Sequence, residues 1–289
     1  MENKILNKKY IIIFFIIHTL KAIGLEALNI PTSALSASST GAGIANSNDV
    51  WINPTSILTK NSKSIRFSGF NWLGQIPGNE ISILWFKNNV PKYFSIQSLG
   101  VDDIELYGEN PSDQPLGKFS TSWISSSYCT GYKLNKFDIA YLFKLNFSKL
   151  YNEFMYGITA NFGITYEYKK NIKFGFNLNN FGYEVSEGLK TSMPSRYGFG
   201  ISYLEPLINS VIVSDLIYDK NNDNIFKIGI NKSFSMMSLN LGLTQHNNDL
   251  FYGFGSSYRF NQWKINIGIT SHKNTVFDIS RYLDIVWYF

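Results

Sequence analysis

The chain has 289 residues, 16% of them aromatic and only 16% charged, with a formal net charge of +5. A soluble enzyme of this length usually carries charge on nearer a quarter of its residues. The modest basic balance contains no Lys/Arg run interleaved with aromatics, as nucleic-acid binding requires. One cysteine, Cys129, rules out an intrachain disulfide framework and a thiolate metal cluster.

Residues 1–24 have the makeup of a secretory signal. Lys4, Lys8 and Lys9 precede the apolar run Tyr10–Leu20, and Ala22 and Gly24 supply small residues where a signal peptidase reads. The competing reading is a membrane anchor, but about eleven apolar residues cannot span roughly 30 Å of hydrocarbon as a helix. No later stretch approaches the roughly 18 apolar residues of a membrane helix. An exported chain without a helical span is either soluble or a β-barrel.

Residues 25–63 hold the glycines and the Asn-Pro step before the first strand. Gly41 and Gly43 permit close backbone approach. Pro54 fixes φ and lacks an N–H, while Asn53 can bond its own backbone, so the two start a turn or short helix.

From residue 64 to 289 the apolar period is two. Tyr156-Gly-Ile-Thr-Ala-Asn-Phe-Gly-Ile-Thr-Tyr166 and Trp263-Lys-Ile-Asn-Ile-Gly-Ile-Thr270 show it most clearly. Alternation puts one set of side chains on each face of a strand. Here the polar set is Gly, Asn, Thr and Ser with a few Lys, which suits a lumen, and the apolar set is rich in aromatics, which suits lipid. About fourteen strands are predicted, at 64–73, 79–86, 91–99, 120–132, 136–146, 154–167, 172–180, 195–204, 208–218, 224–234, 236–246, 250–260, 262–271 and 281–289. Tight turns at 87–90, 133–136, 169–171, 205–207, 235 and 261 alternate with mostly longer links, notably 100–119, 181–194 and 272–280. That rhythm predicts an all-β, antiparallel transmembrane barrel with periplasmic turns and extracellular loops. Leu283, Ile285, Trp287 and Phe289 share one face of the last strand. They read as an assembly signal for the barrel-insertion machinery, the plainer alternative being a strand that closes a soluble sheet.

The segment after the signal carries a more specific pattern. Thr40-Gly-Ala-Gly-Ile-Ala45 is followed by Asn48-Asp-Val-Trp-Ile-Asn-Pro-Thr-Ser-Ile-Leu58, with Gly41, Gly43, Asn48, Asp49, Asn53 and Pro54 as its marked positions. Later come Phe94-Ser-Ile-Gln-Ser-Leu-Gly-Val-Asp-Asp103, Asn180-Phe-Gly182 and Met193-Pro-Ser-Arg-Tyr-Gly198. Together these resemble the PorV/PorQ family, a branch of the FadL-like outer-membrane barrels. Thr55 stands where that family usually has Ala, and the glycine run lacks the usual Met. The resemblance implies that residues 25–63 fold into the barrel mouth as a plug or hatch; the alternative is a loose periplasmic tail.

Chemistry-bearing groups are sparse. His18, His246 and His272 are scattered and offer no metal-ligand spacing, and no Ser/His pair stands out. No catalytic residue, metal or cofactor is expected. Asp102 and Asp103, and Asp219 and Asp223, read as turn residues, with calcium ligation the alternative. Lys173, Lys227 and Lys264 fall on the polar phase, free to attract anions or to pair internally with Glu167 or Asp284. Two functions follow from the resemblance. One is an accessory role in type IX protein secretion, in which extracellular loops bind exported cargo and secretion components; Asp102, Asp103, Glu109, Asn110 and Pro111 would supply contacts. The other is passive transport of hydrophobic solutes past a movable hatch. A lateral opening in the wall and an apolar lumen pocket would discriminate the two, and neither can be read from the sequence; the polar strand phase is not noticeably apolar, which favours the first. Outer-membrane lipid is the expected surrounding, and no nucleic-acid partner is expected.

Overall fold

Along each strand the side chains that would fill the core of a soluble sheet point outward. On one of them Trp263, Ile265, Ile267 and Ile269 are 38–53% exposed, while Asn266 between them is 1% exposed. A soluble antiparallel sheet buries its apolar phase and wets its polar one. The reversed arrangement is stable where the outside is hydrocarbon. The computed structural model describes residues 26–107, 114–150, 153–186, 189–219, 223–274 and 278–289. The expected signal, 1–24, lies outside the described residues.

The strands are β1 (Ser64–Trp72), β2 (Ile76–Lys87), β3 (Val90–Leu106), β4 (Gly117–Leu134), β5 (Phe137–Leu150), β6 (Glu153–Lys169) and β7 (Ile172–Ser186). Then come β8 (Leu189–Ser192), β9 (Arg196–Glu205), β10 (Ser210–Asp219), β11 (Asn224–Ser233) and β12 (Met237–His246). The last three are β13 (Asp249–Phe260), β14 (Trp263–His272) and β15 (Ser280–Tyr288). Successive strands pair antiparallel, β1 meets β15 from Ser64↔Tyr288 to Asn71↔Arg281, and β6 meets β7. Among the described residues there are fifteen strands, of which only β8 lies outside the ring, pairing β7 alone, so a closed fourteen-stranded antiparallel barrel remains. Closure leaves no ladder edge in hydrocarbon, which a membrane-spanning sheet requires.

One end of the barrel carries tight turns. Asn88 and Asn89 both adopt positive φ, 51° and 61°, as a two-residue hairpin that matches strand twist needs. Asn135, Asn209 and Asn261 take left-handed conformations in other turns of that end. Aromatics ring it on the outside: Trp263 stacks on Trp287 at 6.1 Å, and Phe137 on Tyr166 at 4.7 Å.

At the opposite, loop end two expectations are corrected. Half of the link at 100–119 is strand, because β3 continues to Leu106 and β4 begins at Gly117. Asp102 and Asp103 therefore do not open a loop. They sit in a register shift between Val101 and Ile104, where Asp103 takes φ 58°, and pairing resumes with Ile104↔Phe119. Likewise β7 runs to Ser186 and β8 folds back on it, occupying most of 181–194. Polar strand continuing above a lipid belt carries no amphipathic signal, so it reads as loop. The result is an uneven rim: β3 to β7 have 14 to 18 residues, the other ring strands 9 to 12. Glu109, Asn110 and Pro111 lie outside the described residues.

The stretch before β1 is folded inside the ring. It comprises a short 3-10 turn (Glu26–Asn29), the helix α1 (Ala34–Ser38) and a second 3-10 turn (Pro54–Thr59). Its apolar residues each find a wall patch. Ile57 and Val50 pack with Leu84, Tyr93 and Leu142; Ile30 and Ala34 with Phe70 and Tyr282; Ile44 and Ile52 with Ile217 and Ile225; Leu28 with Trp123 and Met193. The polar inward phase of the wall thus meets a segment that brings its own apolar core and hydrogen-bonding backbone.

Candidate functional site

Backbone groups in the lumenal segment have no ladder to join, so the wall satisfies them with side chains. The Asp284 carboxylate accepts the Ala34 N–H at 3.0 and 3.1 Å, at the start of α1, and also the amide of Asn266 at 3.1 Å. Ser33 caps the same helix with a reciprocal Ser33/Ser36 pair. The Asp215 carboxylate accepts the Gly43 N–H at 2.6 Å and the Ile44 N–H at 3.2 Å. Lys227 Nζ donates to the Thr40 carbonyl oxygen at 2.9 Å, and the Thr244 and Thr40 hydroxyls lie 2.8 Å apart. These four contacts tie residues 34–44 to β10, β11, β12 and β15.

The Asn-Pro step is the second anchor. Asn53 is fully buried; its Oδ1 accepts the Thr55 N–H at 3.0 Å and its amide donates to the Ile44 carbonyl oxygen at 2.7 Å. Asn177 on β7 donates to the Ile52 carbonyl oxygen at 2.6 Å. Pro54 begins the second 3-10 turn, where its missing N–H costs nothing. Gly41 adopts φ 75° and packs where a Cβ would lie 2.7 Å from Lys227 Nζ; Gly43 has φ 128°. The wall is relieved to match: a Cβ on Gly253 would lie 2.5 Å from the Ser38 carbonyl oxygen, and one on Gly175 at 2.5 Å from that of Ile44. Lumen-phase glycine in β7 and β13 therefore marks where the inner segment touches the wall.

Asp49 is the charged anchor. Its carboxylate accepts from the Trp51 N–H at 2.9 Å, from the Ser33 hydroxyl, and from Arg66 on β1 at 3.0 Å. Arg66 also meets Glu80 at 2.5 Å, and Tyr93 donates to Glu80 at 3.0 Å. Burial alone would raise the Asp49 pKa, but the Arg66 guanidinium and the Ser33 and Trp51 donors outweigh it and hold the carboxyl below its ordinary value. Asn48 beside it is exposed, and its carbonyl oxygen accepts from Lys60 at 3.2 Å.

Among the described residues the larger cavities of the lumen lie toward its two ends. A vestibule of about 420 Å³ opens at the loop end, floored by Ile30, Pro31 and Trp51 and walled by Trp72, Phe251 and Tyr282 among others. On the turn side of the inner segment are cavities of about 160 and 290 Å³, both bordered by Leu35, Asn48 and Asp49. The vestibule's apolar surface is a feature that the polar strand phase does not announce. Its apolar surface comes partly from the inner segment and partly from single inward aromatics on separate strands, so no one strand's polar phase reveals it.

The remaining sequence-marked residues are dispersed. Leu283, Ile285, Trp287 and Phe289 all face outward. Asp103 pairs with Lys118 at 3.4 Å on the exposed wall above the rim. Lys173 meets Glu167 at 3.9 Å near the turn end, whereas Lys227 is in the lumen. Asp219, Asp223 and His246, far apart in sequence, place ligand atoms within 4.8 Å of one another. Arg196 stands 3.8 Å from Asp219 and His246 3.4 Å from Asp223, so the group is an ion-pair cluster beside the vestibule. Sequence reading missed Arg66, Glu80 and Asp215. Their only local signal is an ionisable residue on the inward phase of a strand.

No protein-family profile and no curated protein matches this sequence. Solved structures do. The monoaromatic hydrocarbon channel CymD superposes with a TM-score of 0.66 at 10% identity, covering 94% of this chain and 99% of that one. The toluene transporter TodX of Pseudomonas putida superposes with a TM-score of 0.62 at 12% identity, covering 88% of this chain and 96% of that one. At such identity the likeness shows the fold alone: a closed barrel of the kind an integral outer-membrane protein has.

Proposed function

We propose that the barrel is a gated channel for small, largely apolar solutes, with the inner segment of residues 26–63 as the gate. One observation carries this reading: a vestibule with largely apolar surface at the loop end and two cavities at the turn end are all lined by that segment. An apolar cavity with a few placed polar groups is the usual form of a small-molecule site. The names of the two superposed channels, one for monoaromatic hydrocarbons and one for toluene, support the same solute class. With tight turns on the periplasmic side, solute enters at the vestibule and leaves past Asn48 and Asp49.

The secretion role implied by the PorV/PorQ resemblance rests on loop surface. Much of that surface is strand, and the superposed channels lend it no support, so it stands second. One experiment scores both. Cells expressing wild type, a barrel lacking 40–57 or a barrel lacking 109–115 are assayed for uptake of labelled toluene and for co-purified exported proteins. A channel gives barrel-dependent uptake that changes with loss of 40–57 and tolerates loss of 109–115. Capture of exported proteins, lost with 109–115 and accompanied by no barrel-dependent uptake, overturns the proposal.

A further inference from the structure

The larger turn-end cavity, about 290 Å³, gathers four cationic side chains. Lys60 leads out of the inner segment into it, Arg66 enters from β1, Lys264 from β14, and exposed Arg259 from the end of β13. Asp49 is the single carboxylate in its lining, and Arg66 is already matched by Asp49 and Glu80. Asp284, behind Lys264, has its oxygens engaged by the Ala34 N–H and the Asn266 amide.

Three cations are left over. Among the described residues Lys60, Arg259 and Lys264 make no ion pair. Lys60 reaches only the Asn48 carbonyl oxygen at 3.2 Å, and Arg259 lies over the Tyr288 ring at 4.7 Å. Burial, together with the neighbouring Lys264 and Arg66, pulls the Lys60 ammonium down to about 8 although Asp49 opposes the shift. Cations gathered in a low-dielectric recess create a positive potential that an incoming anion relieves. The rest of the wall is not phosphate-like: Leu84, Val286 and Ile57 give it an apolar side, with Tyr93 and Tyr288 adding aromatic surface.

We propose that this cavity binds a small organic carboxylate, its head between Lys60, Lys264 and Arg259 and its apolar body against Leu84 and Val286. The site goes beyond the channel reading and does not depend on it, since binding at this mouth needs no movement of the inner segment.

The test is calorimetric titration of the purified full-length barrel with benzoate, benzyl alcohol and inorganic phosphate. Benzoate is expected to bind about tenfold or more tightly than either, because only it offers both the charge and the apolar ring. Its affinity should fall as salt is raised. The Lys60→Gln/Lys264→Gln double variant should weaken benzoate by about tenfold or more. Lys190→Gln, on β8 at the other end, should leave it unchanged. Equal binding of benzyl alcohol or phosphate, or unchanged benzoate affinity in the double variant, overturns the proposal. The wild-type comparison decides the matter even if the double variant does not fold. Toluene uptake is read separately, so a failed channel and a failed anion site remain distinguishable.

Discussion

Asp49 shows how one residue can hold the inner segment and how pH acts on that hold. Its carboxylate is buried and sits on Arg66, the Ser33 hydroxyl and the Trp51 N–H. A carboxyl whose folded pKa is depressed adds stability at pH above its unfolded value, about 4. That stability drains away as pH falls through the lower folded value. The segment should therefore loosen in strong acid and not between pH 5 and 8. Asp49→Asn should show the loosened state already at neutral pH, at a cost on the order of 3 kcal/mol, because Arg66 keeps a single carboxylate partner. Protease cleavage within residues 26–63 of the detergent-purified barrel reads both effects. Equal protection of wild type and Asp49→Asn at pH 7 would show that the ion pair does not anchor the segment. Little of this was legible in the sequence. Asp49 stood out through its motif, but Arg66 and Glu80 are just two ionisable residues among alternating strands. The carboxylates of Asp215 and Asp284 meet backbone donors 172 and 250 positions away, and no local pattern reports a contact of that range.

At the level of elements, strand number and turns were readable because period-two alternation and left-handed asparagines are local features. β1 begins at Ser64, β7 at Ile172 and β11 at Asn224, as the alternation predicts. The strand tops were not readable, since above the lipid belt both faces of β3, β4 and β7 meet water and the alternation carries no instruction. The last strand tests the phase assignment. β15 pairs with both β1 and β14, and Trp287 stacks on Trp263 from the outward phase. Deleting 287–289 removes outward aromatics and shortens two ladders at once, which hydrocarbon penalises heavily. Tyr288→Ser alters only an inward, half-buried side chain. The deletion should abolish the heat-modifiable folded band on gels, and the substitution should leave it near wild-type intensity. Similar bands for both would contradict the assigned faces.

The whole molecule is a ring that turns its apolar residues outward and fills its centre with its own N-terminal segment. Closure and lipid-facing side chains account for stability in a bilayer; on the proposed channel function, the filled centre is the closed state. That function requires the segment to move, and its ties to β11 and β12 at Thr40 are the place to prevent it. The Thr40 and Thr244 hydroxyls are 2.8 Å apart, so a Thr40→Cys/Thr244→Cys pair can join segment and wall by a disulfide within a normal reach. The most direct measurement is uptake of labelled toluene by cells carrying this pair, oxidised and then reduced. A gate predicts uptake near background with the disulfide formed and recovery on reduction, with the folded band present in both states. Uptake that stays unchanged while the disulfide is intact contradicts a route past the inner segment.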